Sequence, residues 1–254
     1  PYRYSEPLHR AWHPRHRGRG IDLSGEGGNP AINSLVQQSL IRPANHPWHI
    51  QDDIWNHIHD DWDWAVFHPT CTYLTCSAAW AFKDLDYDRY PGTGYHQRVQ
   101  PGTLTGAARR EARAAALDDF KRLLDLPYPK AIENPATSFV NRAIRPPDQV
   151  IQPWQFGDDA SKATGLWLDR LPRLVPDPTK RVPGRLVTRP DGKVVERWFN
   201  QTDSGQNRLG PTEGRWLQRS LTYPGIARAM AEQWCKDTRP NSEAGINLRT
   251  RPHL

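Results

Sequence analysis

The sequence predicts an α/β fold built on an open, mostly parallel sheet, and three observations carry that prediction. "DWDWAVF" (61–67) is a short apolar run bounded by charge on one side and "HPT" on the other, the profile of a buried strand feeding a loop. "TGAARREARAAALDDFKRLLDL" (105–126) has the composition of a helix, with Leu117, Phe120 and Leu124 on one face. "KAIENP" (130–135) is a second short apolar strand running into a polar loop. Strand, helix, strand, each strand carrying polar residues at its C-terminal end, is the order of an open α/β sheet whose site lies at the strand tips.

The remaining elements follow in order. In the first 60 residues, rich in His, Arg, Pro and Gly, "SEPLHRAW" reads as helix-like and "GRGIDLSGEGGNP" as a short strand ending at Asp22 in a turn. Residues 83–105 have no sustained period and read as a long loop of the kind kept for binding. Pro127 and Pro129 terminate the helix before them. "QVIQPWQFG" and "TGLWL" suggest further strands, and "RLVTRPDGKVVERWF" (185–199) a β-hairpin turning at "PDG". In "YPGIARAMAEQW", Ile226, Met230 and Trp234 are four apart, on one helical face. The expected organisation is a core over 1–180, a hairpin insertion over 181–212 that could recognise a target, a C-terminal helix over 213–235 and a tail over 236–254.

Composition narrows the function classes. A chain of 254 residues can bury one substantial core, and no stretch approaches the roughly 18 apolar residues of a membrane span. No secretory signal pattern stands at the N-terminus, and three cysteines cannot all pair within one chain, so reduced thiols and a cytoplasmic setting are expected. Lys and Arg (34) exceed Asp and Glu (28), a balance of +6 that favours polyanionic partners, nucleic acid among them.

Two tip loops could carry chemistry. A cysteine after one strand, in "HPTC", and a glutamate at the end of the next, in "ENP", would face one crevice of a parallel sheet. A thiolate adds to an electron-poor ring, and a nearby carboxylic acid protonates the ring nitrogen that gains charge. The competing reading makes Cys71 a packed core thiol and Glu133 a cap or solvated side chain.

These motifs together with "PDQVIQPWQFGDDASKATGLWL", "NQTDSGQNRLGP" and "RSLTYPGIARAMAEQW" resemble the phage and prophage proteins related to DNA cytosine-C5 methyltransferases, in order from about Tyr4 to Trp234. The resemblance implies a Rossmann-like fold that binds S-adenosylmethionine, a DNA substrate and a methyl transfer to C5 of cytosine. It makes Cys71 the nucleophile toward C6 and Glu133 the partner of ring N3 and the exocyclic amine, with Asn134 and Pro135 shaping the loop. Ser5, Asp22, Asp53 and Pro69 fall at cofactor positions. Lys162 falls where basic residues anchor the DNA backbone. The chain departs from the family at Thr70, where proline is usual before the cysteine, and at Glu6, where glycine is expected. Those departures keep two competitors open: a degenerate DNA-binding or structural relative, and a different pyrimidine-C5 modification using another donor.

Further basic residues, among them Lys83, Arg89, Arg98, Arg109, Arg110 and Arg113, alternate with aromatics over 83–122. Arg98 and Arg109 are expected among the contacts to phosphate around a flipped base, against the alternative of a solvated helix face for Arg109, Arg110 and Arg113. No metal is expected. Cys71 and Cys76 lack further ligands, and "HPWHIQDDIWNHIHDDWDW" reads as a solvated His-rich loop.

Overall fold

A computed structural model of the chain describes residues 10–13, 19–22, 53–60, 62–77, 79–84, 103–209 and 223–237. Two short strands, β1 (Arg10–His13) and β2 (Arg19–Asp22), pair antiparallel. β2 ends at Asp22 as the sequence predicts, whereas "RAW", expected within a helix, is extended.

The main sheet has four strands, β3 (Ala65–Phe67), β4 (Lys130–Pro135), β5 (Gln149–Ile151) and β6 (Thr164–Asp169), in the order β3-β4-β6-β5. Among neighbouring strands of this sheet only β3 and β4 pair in parallel, and helix α1 (Gly106–Leu124) lies between them in the chain. β6 runs antiparallel to both β4 and β5, which corrects the expectation of a mostly parallel sheet. The physical reason lies in the connection. The connection from β5 to β6 holds one 3-10 turn, Pro153–Gln155, and no α-helix of the kind that usually carries a parallel crossover. The architecture is therefore mixed α/β.

Both faces of the sheet are covered, so its central strands alternate between two cores. Ala65, Phe67, Ile132 and Trp167 pack beneath α1 with Ala116, Phe120 and Leu123. Phe120 meets Trp167 edge-on with ring centroids 5.2 Å apart. Trp64, Val66, Ala131 and Leu166 face helix α3 (Pro224–Asp237), a later element whose Ile226, Met230 and Trp234 form the stripe the sequence predicts. The four-residue helix α2 (Val140–Ala143) precedes α3 in the chain and follows the tip of β4. No described helix is long and apolar enough to cross a membrane.

The predicted hairpin forms from β7 (Arg185–Thr188) and β8 (Val194–Arg197). It is moored to the core at its base. Trp198 stacks on Trp154 with centroids 5.0 Å apart, and Asn200 exchanges hydrogen bonds with Ser161, accepting from Ser161 N and donating to its carbonyl, both at 2.9 Å. The mooring sites lie between β5 and β6. The hairpin consequently joins the core at the end of the sheet where β4 finishes, because Thr164 is paired with Pro135 there.

Candidate functional site

The register of β3 against β4 sets the site. Phe67 pairs with Ile132, so His68, the first residue after β3, lies level with Glu133, which is still within β4. His68 Nδ1 lies 2.7 Å from Glu133 Oε2, and both side chains are about four-fifths buried, 20% and 17% exposed. One residue on, the buried Asn134 donates from Nδ2 to the Pro69 carbonyl at 3.1 Å. Its Oδ1 is buried without a hydrogen-bond partner among the described residues. The two tips are thus joined by a side-chain pair and by an amide-to-backbone tie.

Cys71 follows immediately. Its carbonyl accepts from Leu74 N at 3.1 Å and Thr75 N at 2.8 Å, closing a tight turn, and the residue is exposed. A second clasp holds that turn to the segment after β4. The Leu74 carbonyl accepts from Phe139 N at 2.7 Å and from Ser138 Oγ at 3.1 Å. The cysteine therefore stands on a turn fixed at both ends rather than in the packed interior, in the exposed setting a reactive thiol requires. Cys76 is also exposed, and Cys235 is half-buried on α3.

Other expected residues are placed differently. Arg109, expected among the DNA contacts, is buried at 4% exposure and points inward from α1. It donates to the Thr72 carbonyl at 3.0 Å and the Leu104 carbonyl at 3.2 Å, and its guanidinium lies over the rings of Tyr73 and Phe82. It therefore clamps the backbone just after Cys71. Arg113, beside it, lies over Phe82 and Phe139 at 4.3 and 4.4 Å from their centroids. Arg110 faces outward and pairs with Asp84.

Lys162 is half-buried on the turn entering β6, next to Ala163, whose carbonyl accepts from Ala136 N at 3.0 Å just beyond Pro135. That brings its backbone beside the tip of β4. Asp53 caps the short 3-10 helix Ile54–Asn56 by accepting from Trp55 N at 3.0 Å. Pro69 is buried, its carbonyl engaged by Asn134, and Asp22 closes β2. Ser5, Glu6 and Arg98 lie outside the described residues, as do His46, His49 and Asp61 of the His-rich stretch. His57 bonds Asp60 at 3.1 Å, and among the described residues no group of three or more His, Cys, Asp or Glu side chains converges as a metal site.

His68 and Ser138 are site residues that sequence reasoning passed over. His68 could not be singled out without the register, because β3 ends at Phe67 while β4 continues past Glu133 to Pro135.

The arrangement comprises an exposed thiol on the loop after β3, a largely buried carboxyl on β4 with an imidazole against it, and a buried amide that ties the two segments. No family model matches the chain, and neither a curated protein nor a solved structure is found similar to it.

Proposed function

We propose that the chain transfers a methyl group to C5 of cytosine in DNA through a covalent adduct at Cys71. The observation that carries this reading is the parallel pair β3 and β4, with the loop that leads from β3 to Cys71 tied by Asn134 to the segment of β4 that carries Glu133. In the proposed step the Cys71 thiolate bonds to C6 of the ring while the Glu133 carboxyl passes its proton to N3. The electron pair released into the ring makes C5 nucleophilic. After transfer, water takes the C5 proton, the pair of the broken C5–H bond forms the C5–C6 double bond and expels the thiolate, and N3 returns its proton to the Glu133 carboxylate. Asn134 takes no part in bond changes and holds the two loops in register.

S-adenosylmethionine is the proposed donor, and when bound it supplies an electrophilic methyl group. Asp53, half-buried with one carboxylate oxygen capping Trp55 N, is the described residue that suits a donor's hydroxyl or amino groups. Asp22 fits less well, since it ends an antiparallel hairpin and not a parallel strand of the main sheet. That hairpin favours a second reading, in which the thiol adduct serves a different donor or the chain is a DNA-binding relative without transfer. Lys162 and the moored hairpin are the proposed DNA-facing parts of the molecule.

The test is mass spectrometry after incubation with S-adenosylmethionine and DNA containing 5-fluorocytosine, whose fluorine prevents release of the adduct. A methylated covalent complex at Cys71, absent in Cys71→Ser, is expected. An intact fold that binds DNA and forms no adduct would replace this reading by the non-catalytic one.

A further inference from the structure

We propose that His68 is a positioning residue for Glu133: its Nδ1–H holds Glu133 Oε2 and stabilises the carboxylate that forms when Glu133 gives its proton to the ring. The inference rests on the cytosine reading above and deepens it. Its basis is the 2.7 Å contact between two side chains that leave adjacent parallel strands at the same level. Both are about four-fifths buried, so water screens the pair weakly and its geometry is set by the strands.

The proton count follows from that geometry. Before reaction Glu133 is a carboxylic acid whose Oε2 accepts from His68 Nδ1–H, and its acidic proton is directed to N3 of the ring. As the Cys71 sulfur bonds to C6, the O–H bond of Glu133 breaks and the N3–H bond forms. The charge left on the carboxylate is met by a donor already in place, so no side chain has to reorient at that moment. His68 gains and loses no proton in this step. When the thiolate leaves, the N3 proton returns to Glu133. A donor whose contact strengthens only as negative charge develops lowers the barrier without tightening DNA binding.

The test compares His68→Ala and His68→Asn, the second because an asparagine amide nitrogen occupies nearly the place of imidazole Nδ1. His68→Ala is expected to lower kcat at least about tenfold with KM for DNA unchanged within about twofold, the signature of an interaction made mainly in the transition state. His68→Asn should recover most of that loss. In a Glu133→Gln background, His68→Ala should cost little more, because the group it serves is gone. Histidine NMR on isotope-labelled full-length protein should show a protonated Nδ1 whose resonance shifts in Glu133→Gln, a readout independent of turnover.

Full kcat in a folded His68→Ala variant, or equal losses in the Ala and Asn variants, overturns the role of His68 and leaves the methyltransferase reading standing. A folded wild-type chain that transfers no methyl group overturns both.

Discussion

Asn134 Nδ2 donates to the carbonyl of Pro69 at 3.1 Å, joining the strand that carries Glu133 to the loop that carries Cys71. The residues are 65 apart in sequence, and the bond is buried. Replacing Asn134 by Asp substitutes an acceptor for the donor and sets it against the Pro69 carbonyl. Leaving a buried polar group unsatisfied costs about 1–3 kcal/mol. A buried, unpaired carboxylate costs more than a neutral group, so the expected outcome for Asn134→Asp at neutral pH is a loss of stability of about 3 kcal/mol or more. Loss of adduct formation should exceed what the unfolded fraction explains. Urea melts run beside the adduct assay measure the two effects, and wild-type adduct yield in the folded variant would show that the tie does not position the loops.

Arg109 provides a contrast between clamp and DNA contact. Its guanidinium holds the carbonyls of Thr72 and Leu104 and covers two aromatic rings, so truncation removes hydrogen bonds and packing together. Arg109→Ala should destabilise by about 2–3 kcal/mol. The salt dependence of DNA binding should keep its slope, because a residue that neutralises no phosphate releases no counterion. Lys162→Ala should instead flatten that slope by about one unit while leaving the melting temperature within about 2 °C of wild type. Binding isotherms at several salt concentrations distinguish the two residues.

How much of this was legible in the sequence depended on the range over which each feature is determined. β4, α1, the hairpin and the Ile226, Met230, Trp234 stripe were readable because period, turn residues and composition are local properties. The direction of β6 was not, since a fully buried run such as "TGLWL" has the same pattern whichever way it pairs. The burial of Arg109 was hidden for a related reason. In a run of charge it reads as exposed, and its main partner is a carbonyl 37 residues away. The Cys71 and Glu133 loops were picked out by residue chemistry at strand ends. The His68 contact that joins them became apparent only with the register.

Gly225 shows how closely α3 is docked. A Cβ built there would lie 2.0 Å from the Phe156 carbonyl oxygen and 2.8 Å from Asp158 Oδ2, and Gly225 N donates to that carboxylate at 3.0 Å. Backbone cannot yield as a flexible side chain can. Gly225→Ala should therefore cost about 1–3 kcal/mol despite alanine's better helix propensity. Gly225→Ala and Ala227→Gly, measured by thermal melting, separate the causes: steric exclusion predicts a loss from the first larger than helix propensity gives in the second. An unchanged melting temperature in Gly225→Ala would show that α3 can shift away from the 153–158 turn at no cost.

The opposite end of β4 holds an ion pair between a buried lysine and a partly exposed aspartate, with a defined pH dependence. Lys130 is fully buried, and its ammonium donates to Asp169 Oδ2 at 2.5 Å and to the Leu126 and Tyr128 carbonyls. Burial by itself would raise the Asp169 carboxyl, but hydrogen bonds and positive charge from Lys130 and Arg170 outweigh it and hold the group below its ordinary value. A carboxyl depressed in the folded state contributes stability that is fully present above the unfolded value, about pH 4, and is lost as pH falls through the lower folded value. Asp169→Asn should therefore reduce the acid sensitivity of unfolding below about pH 4. At pH 7 it should cost about 3 kcal/mol, the low end for breaking a buried pair, because Asp169 is 37% exposed while Lys130 is not exposed at all. Replacing both residues, as Lys130→Met with Asp169→Leu, removes the stranded charge and should cost less than Asp169→Asn alone. Chemical denaturation from pH 3 to pH 7 on the three proteins gives the comparison. An acid profile identical in wild type and Asp169→Asn would mean that the pair contributes nothing to the pH dependence of folding.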